Sequence, residues 1–201
     1  MRKSAYTTLA LALVIVGLMA AGARVASAQT SDVYWLNYFT NNLPTTAPAA
    51  QVKIDNPGLT YGNLCAMIYV FDEDQQMTEC CGCSETHNGL RMLSVRNDLT
   101  SNPLTGVVST NGVIKIVSAP YPGLCDAALT YVPTPDLRAW ATHIENFVPV
   151  NGDLLDYYPI SGNEFSAVPL GATELAALQS QCLFLQILGS GHGTCACGSG
   201  D

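Results

Sequence analysis

Eight cysteines constrain the fold of this chain more than any other feature of its sequence. The chain has 201 residues, and an even set of this size predicts a disulfide framework in an exported protein. Up to four bonds are expected, but eight cysteines allow too many pairings for spacing alone to give the connectivity. The residues concerned are Cys65, Cys80, Cys81, Cys83, Cys125, Cys182, Cys195 and Cys197.

Local geometry limits some of these pairings. Cys80 and Cys81 are adjacent, so on a β-strand their side chains point to opposite faces, and we expect them to bond to different partners. A thiolate metal site built from Cys80–Cys83 and Cys195–Cys197 is the alternative. The segment Cys195–Cys197 lacks the CxxC spacing that suits one tetrahedral zinc ion, and an exported context favours disulfides.

The first residues have the three parts of a secretory signal peptide. Met1-Arg2-Lys3 is a basic start, Leu9 to Ala21 is an apolar run, and Ala26-Ser27-Ala28 is a small-residue cleavage pattern. We expect cleavage after Ala28, which removes residues 1–28 and leaves residues 29–201 as one domain. A transmembrane anchor is the alternative, but glycine and arginine interrupt the apolar stretch. The sequence therefore predicts a secreted protein, periplasmic or extracellular.

Removal of the signal peptide makes the chain strongly acidic. The peptide contains three of the eight basic residues and none of the 16 acidic ones, so the mature chain has a formal net charge of −11. Its five basic residues are scattered, which disfavours nucleic acid and anionic membrane surfaces as partners. No later segment of the sequence approaches a membrane span. Such a charge suits a solvated exported protein or one that meets cations.

Short runs of strand-forming residues, separated by turn residues, follow the signal peptide. Leu64–Phe71 is apolar on both faces, as expected of a central strand, and Gln75–Cys81 is placed to pair back on it. This pattern predicts an all-β fold, an immunoglobulin-like or related β-sandwich. The other predicted strands are Val33–Phe39, Gln51–Asp55, Leu90–Val95 and Val113–Val117.

The C-terminal part of the chain contains one ambiguous segment and one clear helix. Thr134–Phe147 fits a helical face and a strand face equally well, and the β-pattern before it favours a strand. Apolar residues spaced three and four apart predict one amphipathic helix over residues 173–188. Thr173 is the expected N-cap of this helix, and Gly189 is expected to end it.

Residues 189–201 form a Cys/Gly-rich tail after the helix. We expect this tail to bond to Cys182 through Cys195 or Cys197. Within it, the run Gly189–Gly193 places a serine near a histidine. The G-x-S-x-G pattern of a serine hydrolase is absent, so this run indicates a turn rather than a catalytic site.

Four sequence strings carry a resemblance. They are CAMIYVFD at Cys65–Asp72, DQQMTECC at Asp74–Cys81, LAALQSQC at Leu175–Cys182, and the GSG of Gly189–Gly191. With these strings the chain resembles a group of uncharacterised secreted bacterial proteins. The resemblance covers most of the mature chain and implies export, but no activity.

Two groups of side chains are candidates for chemistry. His143 and Glu145 share one face if their segment is a strand, which would let the carboxylate orient the imidazole, although a polar solvent face is the favoured interpretation. Asp72, Glu73 and Asp74 lie between two predicted strands and offer the oxygen ligands that Ca²⁺ requires. An acidic hairpin turn without a ligand is the simpler explanation.

The sequence does not carry a catalytic signature. It therefore predicts a secreted, non-enzymatic binding, adhesion or surface-structural protein, without a cofactor apart from the candidate Ca²⁺. The alternative is a secreted hydrolase with an acidic or His/Glu site, which requires these groups to converge in a concave pocket.

Overall fold

β-strands dominate the part of the chain that the structure describes. This computed structural model describes residues 33–41, 47–59, 62–101, 109–147, 156–189 and 195–197, with backbone only for residues 145–147 and 156–161. All of them belong to one compact unit, Asp32–Asp201. The expected signal peptide, residues 1–28, lies outside the described residues.

Nine strands, one π-helical turn and one α-helix occur in these described ranges. The π-helical turn is Val95–Leu99, and the α-helix, α1, is Ala172–Leu188. The strands are β1 Val33–Thr40, β2 Gln51–Asp55, β3 Leu64–Asp72, β4 Met77–Glu85, β5 Leu90–Ser94, β6 Asn111–Pro120, β7 Arg138–Phe147, β8 Asp156–Glu164 and β9 Ser166–Pro169.

The strands form two antiparallel sheets that pack face to face. The first sheet has the order β4-β3-β6-β1-β9, and the second has the order β5-β2-β7-β8. The predicted all-β sandwich with a C-terminal helix and a disulfide framework is therefore confirmed. Its closer relation to the immunoglobulin fold stays a prediction.

The six strands predicted from their residue pattern are present, and Thr134–Phe147 contains strand β7, as favoured. The predicted pairing of Gln75–Cys81 with the strand before it is confirmed by the antiparallel register of β3 and β4. Strands β8 and β9 were not predicted. Pro159 and Gly162 interrupt the strand pattern of β8, which is an edge strand, where such residues are tolerated.

The core between the sheets is built from alternating residues of their strands. In β2, for example, Val52 and Ile54 are fully buried while the residues between them are partly exposed. Each strand with one buried face contributes every second side chain, because successive side chains point to opposite faces. The other large members of this core are Trp35, Phe39, Leu64, Ile68, Val70, Leu93, Ile114, Ile116, Leu137, Ile144 and Phe165.

A second apolar cluster covers the outer face of the first sheet. Strand β3 is buried on both faces, as its sequence predicts, because its outer residues pack under α1 and under the segment that follows β6. Tyr69 is 1% exposed and its hydroxyl donates to the carbonyl of Ala127 at 2.8 Å. Leu178 and Cys182 are the fully buried residues of α1. The fold therefore has three layers, with the first sheet in the middle.

The helix begins one residue earlier than predicted. Gly171 is the N-cap residue, and no side chain caps the helix, so the prediction of Thr173 as N-cap is wrong. Thr173 lies inside the first turn, where its hydroxyl has no cap geometry. Gly189 ends the helix as predicted, and its amide donates to the carbonyl of Leu185 at 2.9 Å. No helix in the described ranges has the length and hydropathy that a membrane span requires.

Four disulfides involve all eight cysteines. Cys80 and Cys81 bond to different partners, as predicted from their adjacency. The prediction that Cys182 bonds to the tail is wrong. Cys182 bonds to Cys80, which faces outward from β4, whereas the tail bonds to the inward-facing cysteines of β4. The pairs are Cys65–Cys125, Cys80–Cys182, Cys81–Cys195 and Cys83–Cys197.

Candidate functional site

A cleft of about 480 Å³ opens between α1 and the end of the first sheet. Its apolar lining comes from β3, β6 and α1, and its polar lining contains three carboxylates and one amine. The apolar residues include Phe71, Val113 and Leu178. The charged residues are Asp72, Glu73, Lys115 and Glu174, and Gln75 and Gln181 complete the rim.

The tight turn between β3 and β4 places two of these carboxylates. The amide of Gln75 donates to the carbonyl of Asp72 at 3.1 Å, and the amide of Gln76 donates to the Asp72 carboxylate at 2.8 Å. Gln75 adopts a left-handed φ of 64°, which reverses the chain within this turn. The carboxylate of Asp72 thus fixes the backbone that carries Glu73 into the cleft.

Glycine on β6 allows the strands to meet at the floor of the cleft. A Cβ atom on Gly112 would lie 1.9 Å from the carbonyl oxygen of Phe71, far closer than any real contact. Gly112 pairs with Asp72 of β3 and with Phe39 of β1, so a side chain on this face would push the strands apart. The strand predicted from the sequence begins at Val113, so this glycine lies just outside the prediction.

Lys115 is the one cation among the described residues that line this cleft. Its amine lies 2.6 Å from a carboxylate oxygen of Glu174 on α1, and 5.3 Å and 5.0 Å from the ring centres of Tyr34 and Phe71. The side chain of Lys115 is 20% exposed. Its stem therefore packs among aromatic rings while its charge is neutralised locally by Glu174. Two carboxylates, Asp72 and Glu73, remain in excess around the cleft.

The cleft continues along the helix as a shallow groove of about 510 Å³. Gln75 and Gln181 line both spaces, and Phe184 and Leu185 form the apolar wall of the extension. Phe184 is 62% exposed. Further exposed apolar side chains follow on α1, namely Leu183, Ile187 and Leu188. An extended ligand with an apolar part would therefore find a continuous surface from the cleft along α1.

The candidate calcium ligands Asp72, Glu73 and Asp74 are divided by the structure. Asp72 and Glu73 line the cleft, whereas Asp74 does not. Glu73 accepts a hydrogen bond from the side-chain amide of Asn111 at 3.3 Å. Among the described residues, the ligand atoms that converge as a metal site would require belong to cysteines, and not to this turn. Calcium binding at the turn stays a prediction.

His143 lies on β7 away from the cleft residues. Its ring stacks on Tyr38 of β1, with 4.5 Å between the ring centres and 13° between the planes, and burial lowers the pKa of its imidazole. The register between β7 and β8 shifts between Ala141 and His143, where β8 has one extra residue. Gly162 permits this bulge in β8, because a Cβ there would lie 1.6 Å from the carbonyl oxygen of Ala141. The side chain of Glu145 lies outside the described residues, as do Ser190 and His192.

A buried ion pair at the opposite end of the first sheet was not predicted. Arg91 on β5 is 7% exposed, and its guanidinium donates to the carboxylate of Glu85 at 2.7 Å and to the carbonyl of Ser84 at 2.6 Å. It also donates to the carbonyl of Cys197 in the tail. This one side chain therefore connects both sheets and the tail.

Comparison of the chain with protein-family models, curated proteins and solved structures finds no match.

Proposed function

We propose that the mature chain is a secreted, non-enzymatic binding protein, and that its ligand is a cation with an apolar portion held in the cleft beside α1. The observation that carries this proposal is the lining of the cleft. Phe71, Val113 and Leu178 supply an apolar surface, and the carboxylates of Asp72 and Glu73 stand beside it. Concave sites with an apolar lining and a few placed polar groups are where proteins bind small ligands.

Electrostatics supports a cationic ligand. Three carboxylates and one amine line the cleft, and that amine is already paired with Glu174. The expected net charge of −11 for the mature chain adds a long-range attraction for cations. A ligand with both an ammonium group and an apolar group would therefore match both parts of the lining.

The contacts of the carboxylates support binding over hydrolysis. Asp72 accepts the amide of Gln76, Glu73 accepts the side chain of Asn111, and Glu174 pairs with Lys115. Each carboxylate is thus already occupied as a hydrogen-bond acceptor within the protein. A general acid must instead be free to donate a proton to the substrate.

The binding test uses 2-phenylethylamine, which joins an ammonium group to an aromatic ring, with 3-phenylpropionate as its anionic counterpart. Titration is followed by amide chemical shifts of the mature, oxidised chain. We expect the amine alone to shift the amides of Phe71–Gln75, Gly112–Lys115 and Ala177–Gln181. Equal binding of the anion, or shifts spread over other surfaces, would contradict the proposed ligand class.

Two adjacent alanines on α1 provide a matched control. Ala177 lines the cleft, whereas Ala176 is exposed and does not. Ala177→Trp fills the cleft and is expected to abolish the shifts caused by 2-phenylethylamine. Ala176→Trp is expected to leave them unchanged. The same response in both variants would show that the ligand binds elsewhere.

Export is the second part of the proposal and has a separate test. The signal-peptide pattern, the expected disulfide compartment and the resemblance to secreted bacterial proteins all support it. Intact-mass analysis of the native protein should give a chain that begins at Gln29. A chain that retains Met1 in a membrane fraction would contradict export with processing.

A secreted hydrolase is the second candidate, because Asp72, Glu73 and Glu174 line the same cleft. Paired carboxylates are the groups that glycoside hydrolysis requires. If the chain is a hydrolase, Glu73→Gln and Glu174→Gln abolish turnover of a chromogenic glycoside while the fold is retained. A binding protein gives no turnover in the parent chain.

A further inference from the structure

Two disulfides lie side by side between β4 and the tail. Cys81 and Cys83 are separated by one residue on β4, and their partners, Cys195 and Cys197, are separated by one residue in the tail. The sulfur atoms of Cys81 and Cys83 are 3.9 Å apart, and the sulfurs of Cys81, Cys83 and Cys197 all lie within 4.8 Å of one another. The sulfur of Cys195 is bonded to that of Cys81 and so adjoins this group of three, and we refer to the four cysteines as the cluster.

The second of these bridges adds little constraint once the first has formed. Cys81–Cys195 and Cys83–Cys197 each span 114 residues of sequence, but they join the same two segments. After one has closed, the other closes only a small ring, and a small ring restricts the unfolded chain far less. Stability alone therefore explains one bridge much better than it explains two.

Hydrogen bonds hold the tail beside β4 independently of the sulfur bonds. The amide of Cys195 donates to the carbonyl of Cys80 at 3.2 Å, and the amide of Ala196 donates to the carbonyl of Asp98 at 2.9 Å. The guanidinium of Arg91 donates to the carbonyl of Cys197. These contacts would keep the two pairs of thiols facing each other after reduction.

One pair of sulfurs in the cluster already has the spacing found in a tetrahedral thiolate site. Zinc binds four thiolates at about 2.3 Å, which places neighbouring sulfurs about 3.8 Å apart. The separation of 3.9 Å between Cys81 and Cys83 fits this value. Cys81, Cys83 and Cys195 are 5%, 1% and 6% exposed and Cys197 is partly buried, so most of the site would be shielded from water, as structural zinc sites are.

We propose that the cluster of Cys81, Cys83, Cys195 and Cys197 has two states, a pair of disulfides when oxidised and a four-thiolate site for one zinc-like d¹⁰ cation when reduced. The reductant is an external dithiol. Each bridge takes two electrons and two protons from one dithiol, which leaves as its own disulfide, so two dithiols yield four thiols. One Zn²⁺ then forms four Zn–S bonds and releases four protons. The proposal does not depend on a ligand in the cleft.

The test measures which thiols Zn²⁺ protects. The mature chain is reduced with a phosphine, freed of it without oxygen, and alkylated with iodoacetamide with and without one equivalent of Zn²⁺. Mass mapping of each cysteine gives its labelling rate. We expect labelling to slow at least tenfold at the four cluster cysteines and to be unchanged at the other four.

Several results would overturn the proposal. Protection of no cysteine would do so, as would equal protection of all eight or protection of Cys65 and Cys125. Rapid labelling of all eight in both conditions, as from an unfolded reduced chain, would also overturn it.

A matched pair of variants provides a second measurement. Cys81→Ser/Cys195→Ser and Cys65→Ser/Cys125→Ser each remove one bridge, but only the first removes cluster ligands. With Co²⁺ as the probe, we expect the thiolate charge-transfer band to keep its intensity in Cys65→Ser/Cys125→Ser. In Cys81→Ser/Cys195→Ser its intensity should fall by about half, because two of four sulfur ligands are gone. The reverse ranking would overturn the assignment.

Discussion

Replacement of Arg91 by methionine should destabilise the protein strongly. The Arg91 side chain is 7% exposed and the Glu85 side chain 2% exposed, with 2.7 Å between guanidinium nitrogen and carboxylate oxygen. Methionine has a similar length but removes the positive charge from a carboxylate that stays buried. Loss of one partner of a buried ion pair costs about 3–5 kcal/mol. The carbonyls of Ser84 and Cys197 lose donors as well.

The assay is guanidinium unfolding of the mature, oxidised chain, with the free energy of unfolding extrapolated to water. Arg138→Met is the matched control, because Arg138 is partly exposed, donates only to local carbonyls and lies 5.1 Å from the ring of Trp35. We expect the control to lose about 1 kcal/mol or less.

A double variant separates the charge from the packing. If the buried carboxylate causes the loss, Glu85→Gln should rescue part of the defect, so that Arg91→Met/Glu85→Gln is more stable than Arg91→Met alone. A loss below about 1 kcal/mol in Arg91→Met would refute the reasoning. So would a double variant whose loss equals the sum of the two single losses, since the residues would then not be coupled.

Three further predictions concern the rest of the described fold. Burial raises the pKa of the Tyr69 phenol, and neighbouring charges make smaller contributions in the same direction. The contribution of this phenol to the free energy of unfolding is therefore complete below the unfolded-state pKa of about 10 and is lost as the pH rises above that value. Between pH 9 and pH 12, the free energy of unfolding should therefore fall less steeply in Tyr69→Phe than in the parent, by up to about 1.4 kcal/mol per pH unit. Equal slopes in the two proteins would contradict this expectation. Gly112→Ala should lower the free energy of unfolding in guanidinium by about 1–3 kcal/mol, because the added Cβ would collide with a backbone carbonyl. Gly171→Ala should lower it by less, because no heavy atom lies within 4 Å of a Cβ added there. If the acidic turn binds Ca²⁺, millimolar Ca²⁺ should raise the melting temperature over that in EDTA, and Asp72→Asn/Asp74→Asn should remove the shift. An unchanged melting temperature would argue for a turn without a ligand.

Strands with a buried face could be predicted, because the spacing of their apolar residues indicates whether one face or both faces are buried. Val52 and Ile54 alternate with polar residues in β2, and β3 is apolar from Leu64 to Phe71, where both of its faces are covered. Strand β8 could not be predicted in this way. Its proline and glycine weaken the pattern, and edge position and a bulge are tertiary features that local sequence does not reveal.

The disulfide partners and half of the cleft could not be predicted, because they depend on contacts between residues that are far apart in the sequence. The adjacency of Cys80 and Cys81 predicts different partners, but only the position of α1 outside the first sheet assigns Cys182 to Cys80. Asp72 and Glu73 stood out as an acidic cluster. Lys115 and Glu174 did not, because they are 59 residues apart and meet only when α1 packs beside β6.

The placement of Glu73 also provides the sharpest test of the proposed binding site. Glu73→Gln and Asp74→Asn each remove one negative charge from the same turn, but only Glu73 lines the cleft. Removal of an exposed carboxylate contact weakens binding by about 1 kcal/mol or less, and 1 kcal/mol corresponds to about a fivefold rise in Kd.

The measurement is the Kd of 2-phenylethylamine for the parent chain and for both variants at one ionic strength. We expect Glu73→Gln to raise the Kd by up to about fivefold and Asp74→Asn to leave it within about twofold of the parent value. An equal rise in both variants would mean that the amine responds to net charge and not to the cleft, and it would contradict the proposed site.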